Sequence, residues 1–261
     1  MAISELASVD GVISATAEAT IPLPDDGLYR GDGVFEVIRL YQGRPFALGE
    51  HLDRIERSAA AIELPVDRAS VEAELPPLLE RIGAQDGQLR LLLTRGGRRI
   101  LLTEPLPPRG ATVRLATVRY WPSVILDGVK SISYAANMQA TRIAKANGAD
   151  EALLVRPDGI VLEAPTSTIF WVSPEGGLRT PALSAGILES ITRAKVVREL
   201  HVEEAEFHLD DLRGAHEAFL ASTTREIQPV AAIDEHALEP DGPRTREAQD
   251  AFAGVLARAL G

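Results

Sequence analysis

The sequence predicts a protein of the α+β class. Its 261 residues are enough for one large or two modest domains with a sizeable core. Segments with strand periodicity and segments with helix periodicity follow one another irregularly, without the regular βαβ repeat of a doubly wound sheet. The proline-containing stretch WPSV is the best candidate for a linker. We therefore predict an N-terminal α/β domain over 1–119, a linker over 120–125 and a C-terminal domain over 126–261.

The first half of the chain contains three predicted strands and two predicted helices. Residues 34–41 alternate apolar and polar side chains, as in a strand, and the turn residues QGRP follow them. Residues 48–62 carry apolar side chains at helical spacing, and Pro65 lies just beyond. The other elements are a helix over 71–82 and strands over 88–94 and 112–120.

The second half begins with a predicted strand near 128–134. An Ala-rich helix over 137–146 follows, and Asn147-Gly148 ends it. The turn RPDG predicts a hairpin between strands 151–155 and 160–163. The remaining predicted elements are strands over 169–172, 218–222 and 227–233 and helices over 191–200 and 245–260.

Composition excludes several classes of function. The formal net charge of −11 argues against a nucleic-acid partner. There are no cysteines, which rules out disulfides and thiolate metal sites, and no metal site is predicted. No apolar stretch reaches the roughly 18 residues that suggest a membrane span, and the N-terminus does not resemble a signal peptide. We expect a cytoplasmic protein.

Only three lysines are present, so chemistry that needs an amine has few candidates. Lys145 lies in the last turn of a predicted helix and Lys195 on a polar helix face, and both are expected to be solvated. Lys130 lies in GVKSISYAA, within a predicted strand among apolar and small residues. It is either on an exposed strand face or buried for a purpose. Burial would depress its pKa, as imine-forming amines require.

Two segments have the residue types of an anion site. In SAGILESITR, Ile191 and Thr192 lie at a predicted helix N-terminus, where free N–H groups suit a phosphate, although a plain Ser190 N-cap is the alternative. In LASTTREIQP, Ser222 and Thr223 form a hydroxyl pair, with a polar turn as the alternative. No nucleotide-binding glycine loop is present.

Two charged residues complete the set. Arg54, in HLDRIERS, has the fork geometry that binds phosphate, although a lone helix arginine is usually solvated. Glu163, in IVLEAPTSTIFWV, ends one predicted strand before a short loop. Taken singly, it is an ordinary acid at a strand end.

The order and spacing of these segments carry more information than any one of them. The chain resembles the class IV aminotransferases, the fold-type IV enzymes that use pyridoxal 5′-phosphate (PLP), from about Gly27 to Val230. This group includes D-amino acid transaminases, branched-chain aminotransferases and aminodeoxychorismate lyase. The resemblance rests on YRGDGVFEVIRLYQGRPF, EHLDRIERSAAAI, VKSISYAANMQATRIAKANGADEALLV, VLEAPTSTIFWV, TPALSAGILESITR and FLASTTREIQPV.

The resemblance implies a role for each candidate. Lys130 matches the catalytic lysine that forms a Schiff base with PLP. Glu163 matches the acid that keeps the pyridine nitrogen protonated, so that the ring acts as an electron sink. Arg54 matches the phosphate-binding arginine.

Two further pairs match the family's phosphate-binding turns: Ile191 with Thr192, and Ser222 with Thr223. The family also implies a two-domain fold with the cofactor in the interdomain cleft. It implies a homodimer whose active site borrows residues from the partner chain.

Departures from the family bear on the substrate. Ala164 and Thr168 stand where glycine and asparagine are frequent, changes that do not suggest loss of PLP. Arg30 stands where many members have an aromatic residue facing the substrate, and an arginine there would pair with a carboxylate. Arg90 occupies a position where some relatives place a pocket arginine.

Arg98 and Arg99 are expected on a loop that often borders the same pocket, with plain surface charge as the alternative. These arginines favour a carboxylate-bearing amino donor. We therefore predict transamination between an amino acid and a 2-keto acid, with D-amino acids preferred slightly over branched-chain L-amino acids. The alternatives are an aminodeoxychorismate lyase that releases pyruvate and 4-aminobenzoate, to which RGG near Gly96 is similar, and a non-catalytic PLP-binding protein.

Overall fold

The computed structural model describes residues 3–261, which divide into two compact units. The first comprises residues up to Pro107 together with Val129–Tyr134 and Ala259–Gly261. The second comprises Pro108–Gly128 and Ala135–Arg258. Each unit contains helices and a sheet, which confirms the predicted α+β class.

The first unit is built on a six-stranded antiparallel sheet. Its strands are β1 (Leu6–Val9), β2 (Val12–Ala15), β3 (Gly33–Tyr41), β4 (Arg44–Pro45), β5 (Gly87–Thr94) and β6 (Arg99–Glu104). They lie in the order β2-β1-β6-β5-β3-β4. The helices of this unit are α1 (Asp26–Arg30), α2 (Leu48–Ala61) and α3 (Arg68–Ile82).

The core of the first unit lies between one face of this sheet and helices α2 and α3. Ile38 of β3 and Leu91 of β5 belong to the same buried cluster as Leu52 and Ile55 of α2. The spacing of three between Leu52 and Ile55 places both side chains on one side of the helix. The alternation along β3 and β5 turns every second side chain toward them, so the opposite sheet face is left for other contacts.

The second unit is built on a mixed eight-stranded sheet. Its strands are β7 (Val113–Arg119), β8 (Glu151–Val155), β9 (Thr168–Val172), β10 (Leu178–Pro181), β11 (Val202–Ala205), β12 (Ala218–Ser222), β13 (Glu226–Ile233) and β14 (His236–Ala237). The order is β11-β10-β9-β12-β13-β7-β8, and β14 pairs with β13. Helices α4 (Ala135–Ala146), α5 (Ile191–Glu199) and α6 (Leu209–Arg213) belong to this unit, as does α7 (Pro243–Leu260) up to Arg258.

Aromatic side chains fill the middle of the second sheet. Phe170 of β9 and Phe219 of β12 are cross-strand neighbours, and their rings stack with centroids 5.0 Å apart. Trp171 projects to the other face, where it meets Phe207 edge to face at 5.0 Å. All of these side chains are buried, so β9 and β12 are covered on both faces.

Most predicted elements are confirmed to within a few residues, but the prediction of a strand near 128–134 is wrong. Only Ser131 pairs with β3, through an isolated bridge to Val34. Local turns interrupt the segment on both sides, because Ser131 N donates to Val129 O and Tyr134 N donates to Ile132 O. The predicted strand over 160–163 is likewise reduced to bridges, Val155 to Val161 and Ile160 to His208.

The predicted domain division also needs correction. We placed the boundary at 119, but β7 (Val113–Arg119) pairs with β8 and β13 in the second unit's sheet. Residues 129–134 conversely belong to the first unit. Both differences arise from pairing between distant segments, which local composition does not reveal. Among residues 3–261, no helix is both long enough and apolar enough to cross a membrane.

We predict that Phe219→Ala lowers the free energy of unfolding by about 3–5 kcal/mol, because it leaves a cavity beside Phe170. Urea denaturation followed by the fluorescence of buried Trp171 measures the change. Ile125→Ala, at an exposed side chain of the same unit, is the control and should alter stability by less than about 0.5 kcal/mol. Equal effects of the two substitutions would contradict the packing account.

Candidate active site

Lys130 lies in the first unit, at the edge of its sheet beside β3. Its carbonyl accepts a hydrogen bond from Phe35 N (3.0 Å), and its N–H donates to Ser58 Oγ of α2 (3.1 Å). The half-buried side chain places Nζ 4.4 Å from the centroid of the Phe35 ring. The backbone of Lys130 is therefore fixed to both a strand and a helix, and its amine is held against an aromatic face.

Arg54 lies in a buried charged cluster under α2. Its Nε and Nη2 donate to the two carboxylate oxygens of Glu36, each at 2.7 Å. His51 Nδ1 lies 2.7 Å from Glu36 Oε2. Arg54 is 5% exposed, and Glu36 and His51 are fully buried. The arginine is thus held bidentately rather than solvated.

The pKa values of this cluster follow from its burial and charges. Burial alone raises the pKa of Glu36, but the charge of Arg54 and hydrogen bonds from Arg54 and His51 outweigh it, so the pKa falls to about 2. Burial lowers the pKa of His51, and Glu36 offsets only part of that. At neutral pH Glu36 is therefore ionised and His51 neutral, with the proton on Nδ1 facing the carboxylate.

The two other lysines differ from each other in burial. Lys145 is exposed, as predicted. Lys195 was expected to be solvated, but it is 8% exposed and therefore buried. Helix α5 also buries Thr192 and Arg193, because it packs against β12 with more than one of its sides covered. Burial alone therefore does not single out Lys130 among the three lysines.

Glu163 lies in the second unit and is half-buried. Its Oε1 accepts a hydrogen bond from Leu188 N (3.1 Å), and its carbonyl accepts one from Leu154 N (2.9 Å). Burial raises the pKa of Tyr120, and the negative charge of Glu163 raises it further. The hydrogen bond from Leu188 also ties Glu163 to the segment that leads into α5.

The predicted phosphate segments both belong to the second unit. Ile191 and Thr192 begin helix α5, whose N-cap Ser190 accepts a hydrogen bond from Arg193 N (3.3 Å). The first turn carries no acidic side chain, although Glu189 directly precedes the N-cap.

Ser222 and Thr223 open the turn between β12 and β13, where Ser222 pairs with Glu226. Ser222 is buried and Thr223 half-buried. Arg109 Nη1 donates to Thr224 O at 2.6 Å, which fixes the middle of this turn. Both predicted hydroxyl residues therefore lie where the sheet ends, at a braced turn.

The predicted substrate arginines all have carboxylate partners. Arg30 ends α1, is exposed, and lies 3.5 Å from Asp26. Arg90 Nε donates to Glu104 at 2.9 Å, and Arg98 Nη1 donates to Asp10 at 2.6 Å. They lie on separate elements. Arg99 was expected on the same loop as Arg98, but it begins β6 and pairs with Glu74 at 2.7 Å.

One face of β3 and β5 carries a set of side chains that includes Arg90. Phe35, Val37 and Arg39 alternate with the core-facing residues of β3, and Val37 is the cross-strand neighbour of Arg90. Arg39 Nε and Nη1 are buried without a hydrogen-bond partner in the part of the chain described. The same face therefore presents an aromatic ring under Lys130 Nζ and two guanidinium groups further along.

Glu36, His51 and Arg39 were missed in the sequence analysis. A signal for Glu36 was present, because it occupies a core-facing position between Val34 and Ile38 in an alternating strand. A carboxylate there requires a buried cation. His51 precedes Arg54 by three residues and so shares its helix face. Among residues 3–261, no group of three or more His, Cys, Asp or Glu side chains could hold a metal ion.

We predict that Glu36→Gln lowers the free energy of unfolding at pH 7 by about 3–5 kcal/mol, because Arg54 is left buried without its counter-ion. The pKa of Glu36 is depressed, so its contribution is complete above the unfolded-state pKa. The difference between the wild type and the variant should therefore shrink as the pH falls through about 2.

Urea denaturation across this pH range tests the prediction. Glu72→Gln, which removes an exposed partner of Arg68, is the matched control and should cost at most about 1 kcal/mol. Similar losses in the two variants would contradict the assignment of Glu36 as the buried counter-ion.

Comparison with known proteins identifies the family. Residues 33–233 match the family described as amino-transferase class IV. The chain is 33% identical to D-alanine aminotransferase of Listeria innocua, over 94% of this chain and 93% of that protein. It is 34% identical to a Methanocaldococcus jannaschii protein named as a branched-chain-amino-acid aminotransferase, over 83% and 84%. It is 28% identical to aminodeoxychorismate lyase of Bacillus subtilis, over 87% and 86%.

A solved structure agrees with these relatives. The fold-IV transaminase CpuTA1 from Curtobacterium pusillum matches with a TM-score of 0.84 and 29% identity, over 95% of this chain and 99% of that one. The family match covers more than half of the 261 residues and includes the segments that hold Lys130, Arg54 and Glu163. The chain belongs to the class IV aminotransferases, fold-type IV enzymes whose cofactor is pyridoxal phosphate.

Proposed function

We propose that this chain transfers amino groups between an amino acid and a 2-keto acid, with D-amino acids preferred over branched-chain L-amino acids. The observation that carries the proposal is the placement of Lys130. Its backbone is bonded to Ser58, one helical turn after Arg54, and its amine faces the Phe35 ring. An amine and a phosphate-type arginine are therefore held within one rigid strand–helix arrangement. The match to a D-alanine aminotransferase extends over 94% of this chain, against 83% for the relative named as a branched-chain aminotransferase, and this supports the preference for D-amino acids.

The donor set fits PLP in charge and chemistry. The cofactor has an aldehyde, a pyridine nitrogen and a phosphate. Lys130 supplies an amine, and the half-buried carboxyl group of Glu163 supplies an acceptor for a protonated ring nitrogen. Arg54 supplies a charged donor. The N-terminus of α5 at Ile191 and Thr192, and the hydroxyls of Ser222 and Thr223, supply neutral donors for phosphate oxygens.

Each of these residues has a defined task in the proposed reaction. When bound, PLP supplies an electron sink that stabilises negative charge at the substrate's Cα. Lys130 Nζ accepts the proton from that Cα as a general base and returns a proton as a general acid. Glu163 would accept a hydrogen bond from the cofactor's ring nitrogen and so would keep that nitrogen protonated. Water would supply the oxygen with which the donor leaves as a keto acid. The amino group would stay on the cofactor until a second keto acid takes it and gives up its own oxygen as water, so ping-pong kinetics are expected.

The face of β3 and β5 supports a substrate that carries a carboxylate. Arg90 already shares Glu104 with Gln88, whose Nε2 donates to the same oxygen at 2.9 Å. One carboxylate therefore balances only part of the charge of Arg39 and Arg90. A substrate carboxylate would add negative charge beside these two guanidinium groups. Arg30 and Arg98 stay predicted substrate contacts.

The elimination of pyruvate is the second candidate reaction, and the 28% identity to an aminodeoxychorismate lyase favours it. The same lysine would move the proton at Cα in both reactions. Release of 4-aminobenzoate without any keto-acid acceptor would identify the lyase. A protein that binds PLP without catalysis is the remaining alternative, and no spectral change with any amino donor would revive it.

A homodimer with a shared active site also stays a prediction, as does a cytoplasmic location. Leu23, Leu28 and Tyr29 are exposed apolar residues in the segment that leads to Arg30. An exposed apolar group next to a predicted substrate residue is what a partner subunit would cover. Sedimentation equilibrium distinguishes a dimer from a monomer.

We predict that Lys130→Ala abolishes amino transfer, because no other amine can serve at that position. Borohydride reduction of the wild type with PLP, followed by peptide mass spectrometry, should place the phosphopyridoxyl label on Lys130. Lys145→Ala changes an exposed lysine and should keep both activity and label. A label on Lys195, or an active Lys130→Ala enzyme, would refute the assignment.

We predict that Arg39→Gln and Arg90→Gln each lower kcat/KM for D-alanine by about 10–100-fold, the value of one charged hydrogen bond to the substrate carboxylate. Steady-state kinetics with D-alanine and L-leucine measure the effect and rank the two donors. Arg68→Gln removes an arginine paired with Asp53, Glu56 and Glu72 on the surface, and it should leave kcat/KM unchanged. No loss in either test variant would remove this face from the substrate site.

A further inference from the structure

Two turns lie at the same end of the second unit's sheet. Residues Pro165 and Thr166 form the turn between Glu163 and β9, closed by hydrogen bonds between Ala164 and Ser167 at 2.9 and 3.3 Å. We call this the acid turn, residues 164–167. Residues 223–225 connect β12 to β13, and we call them the phosphate turn. The pairing of β9 with β12 in antiparallel register brings the start of one strand next to the end of the other.

The Glu151 side chain contacts both turns. Its Oε1 accepts a hydrogen bond from Thr166 Oγ1 in the acid turn, at 3.1 Å. Its Oε2 accepts a hydrogen bond from Arg225 Nη2 in the phosphate turn. Glu151 is the first residue of β8, whose backbone is fixed by pairing with β7. One carboxylate on a rigid strand thus holds two turns. The acid turn directly follows Glu163, and the phosphate turn includes Thr223.

Because Glu151 is buried, its carboxylate needs the hydrogen bonds from both Thr166 and Arg225. Glu151 is 5% exposed, and the Arg225 side chain is mostly buried. Burial raises the pKa of Glu151, and Arg225 and Thr166 act in the opposite direction. A buried carboxylate that loses either partner keeps its desolvation cost, so the low-energy state has both turns in place.

The phosphate turn is braced a second time through Arg225. Arg225 Nη1 donates to Gln228 Oε1 at 2.5 Å, and Gln228 Nε2 donates to Gly110 O at 2.8 Å. Gln228 is buried. Arg225 is therefore not a mobile surface residue but the link between Glu151 and the base of the turn.

We propose that Glu151 is a positioning residue that couples the acid turn, next to Glu163, to the phosphate turn, so that correct placement of one favours the other. This inference rests on the proposed function, because it assumes that Glu163 and Thr223 contact PLP. Glu151 itself would not touch the cofactor. Its effect would be seen as non-additivity between substitutions in the two turns.

The experiment is a cycle of variants in which PLP affinity is measured by titration of the apoprotein. Thr166→Val removes the hydroxyl from the acid turn, and Arg225→Gln removes the charge from the phosphate turn. Each should weaken PLP binding, and the double variant should lose less than the product of the two single losses by about 3–10-fold. In a Glu151→Gln background the same two substitutions should combine without this coupling.

A second ligand, pyridoxal, distinguishes the effects of the two turns on binding. Pyridoxal lacks the phosphate, so Arg225→Gln should weaken pyridoxal binding only through the coupling to the acid turn, and by less than it weakens PLP binding. Glu151→Gln should weaken both pyridoxal and PLP, and in that background Arg225→Gln should leave pyridoxal affinity unchanged. Glu217→Gln is the matched control, because Glu217 is equally buried in the same unit and is bonded to Thr245 rather than to either turn. It should lower stability without changing either affinity.

Each outcome decides the proposal. Additive losses in the wild-type background would overturn it without requiring the Glu151 variant to be stable. Coupling that persists with Glu151→Gln would overturn it as well. Loss of affinity in Glu217→Gln equal to that in Glu151→Gln would also overturn it. If the wild type binds PLP on Lys130 but shows no coupling, only this inference fails. If the wild type does not bind PLP, the proposed function fails with it.

Discussion

The buried pair between Arg54 and Glu36 is the constraint on which the first unit's site depends. Removing two charges from water is costly, and the cost is offset only while both hydrogen bonds keep their geometry. The pair therefore fixes the register of α2 against β3. Ser58 follows Arg54 by one turn and binds the N–H of Lys130. The amine is placed by a chain of contacts that begins in the core, not by the short segment around it.

The second unit uses the same principle with a different residue. Glu151 is buried at the start of β8, and its partners lie on two turns rather than on a helix. In both units a charged side chain inside the fold orders a neighbouring backbone segment. Such a pair contributes little net stability compared with apolar packing, but it penalises every arrangement in which the segment moves away. Precise placement of polar groups is what cofactor chemistry requires.

The sequence predicts those features that depend on local periodicity. The apolar spacing over 48–62 predicts α2, and the residue types near Ile191 predict the start of α5. The sequence does not predict features that depend on distant pairing. The segment around Lys130 has the composition of a strand, yet only Ser131 bridges to β3. The burial of Lys195 and the assignment of β7 to the second sheet also arise from contacts between segments far apart in sequence. The roles of Lys130 and Glu163 were predicted from motif order, because no local property distinguishes them from ordinary residues.

The alternation of β3 gives the strand two faces with different contacts. Glu36 faces the core and holds Arg54, whereas Phe35, Val37 and Arg39 face the opposite side with Arg90. A substitution on the second face therefore leaves the buried ion pair on the first face in place. Arg39 has two buried N–H donors that lack an acceptor in the described chain. Such donors are costly when unsatisfied, so the guanidinium of Arg39 is held on this face at an energetic cost. The two faces of the strand therefore have separate tasks: one holds Arg54 in the core, and the other presents Arg39 and Arg90, which under the proposed function would favour a carboxylate-bearing substrate.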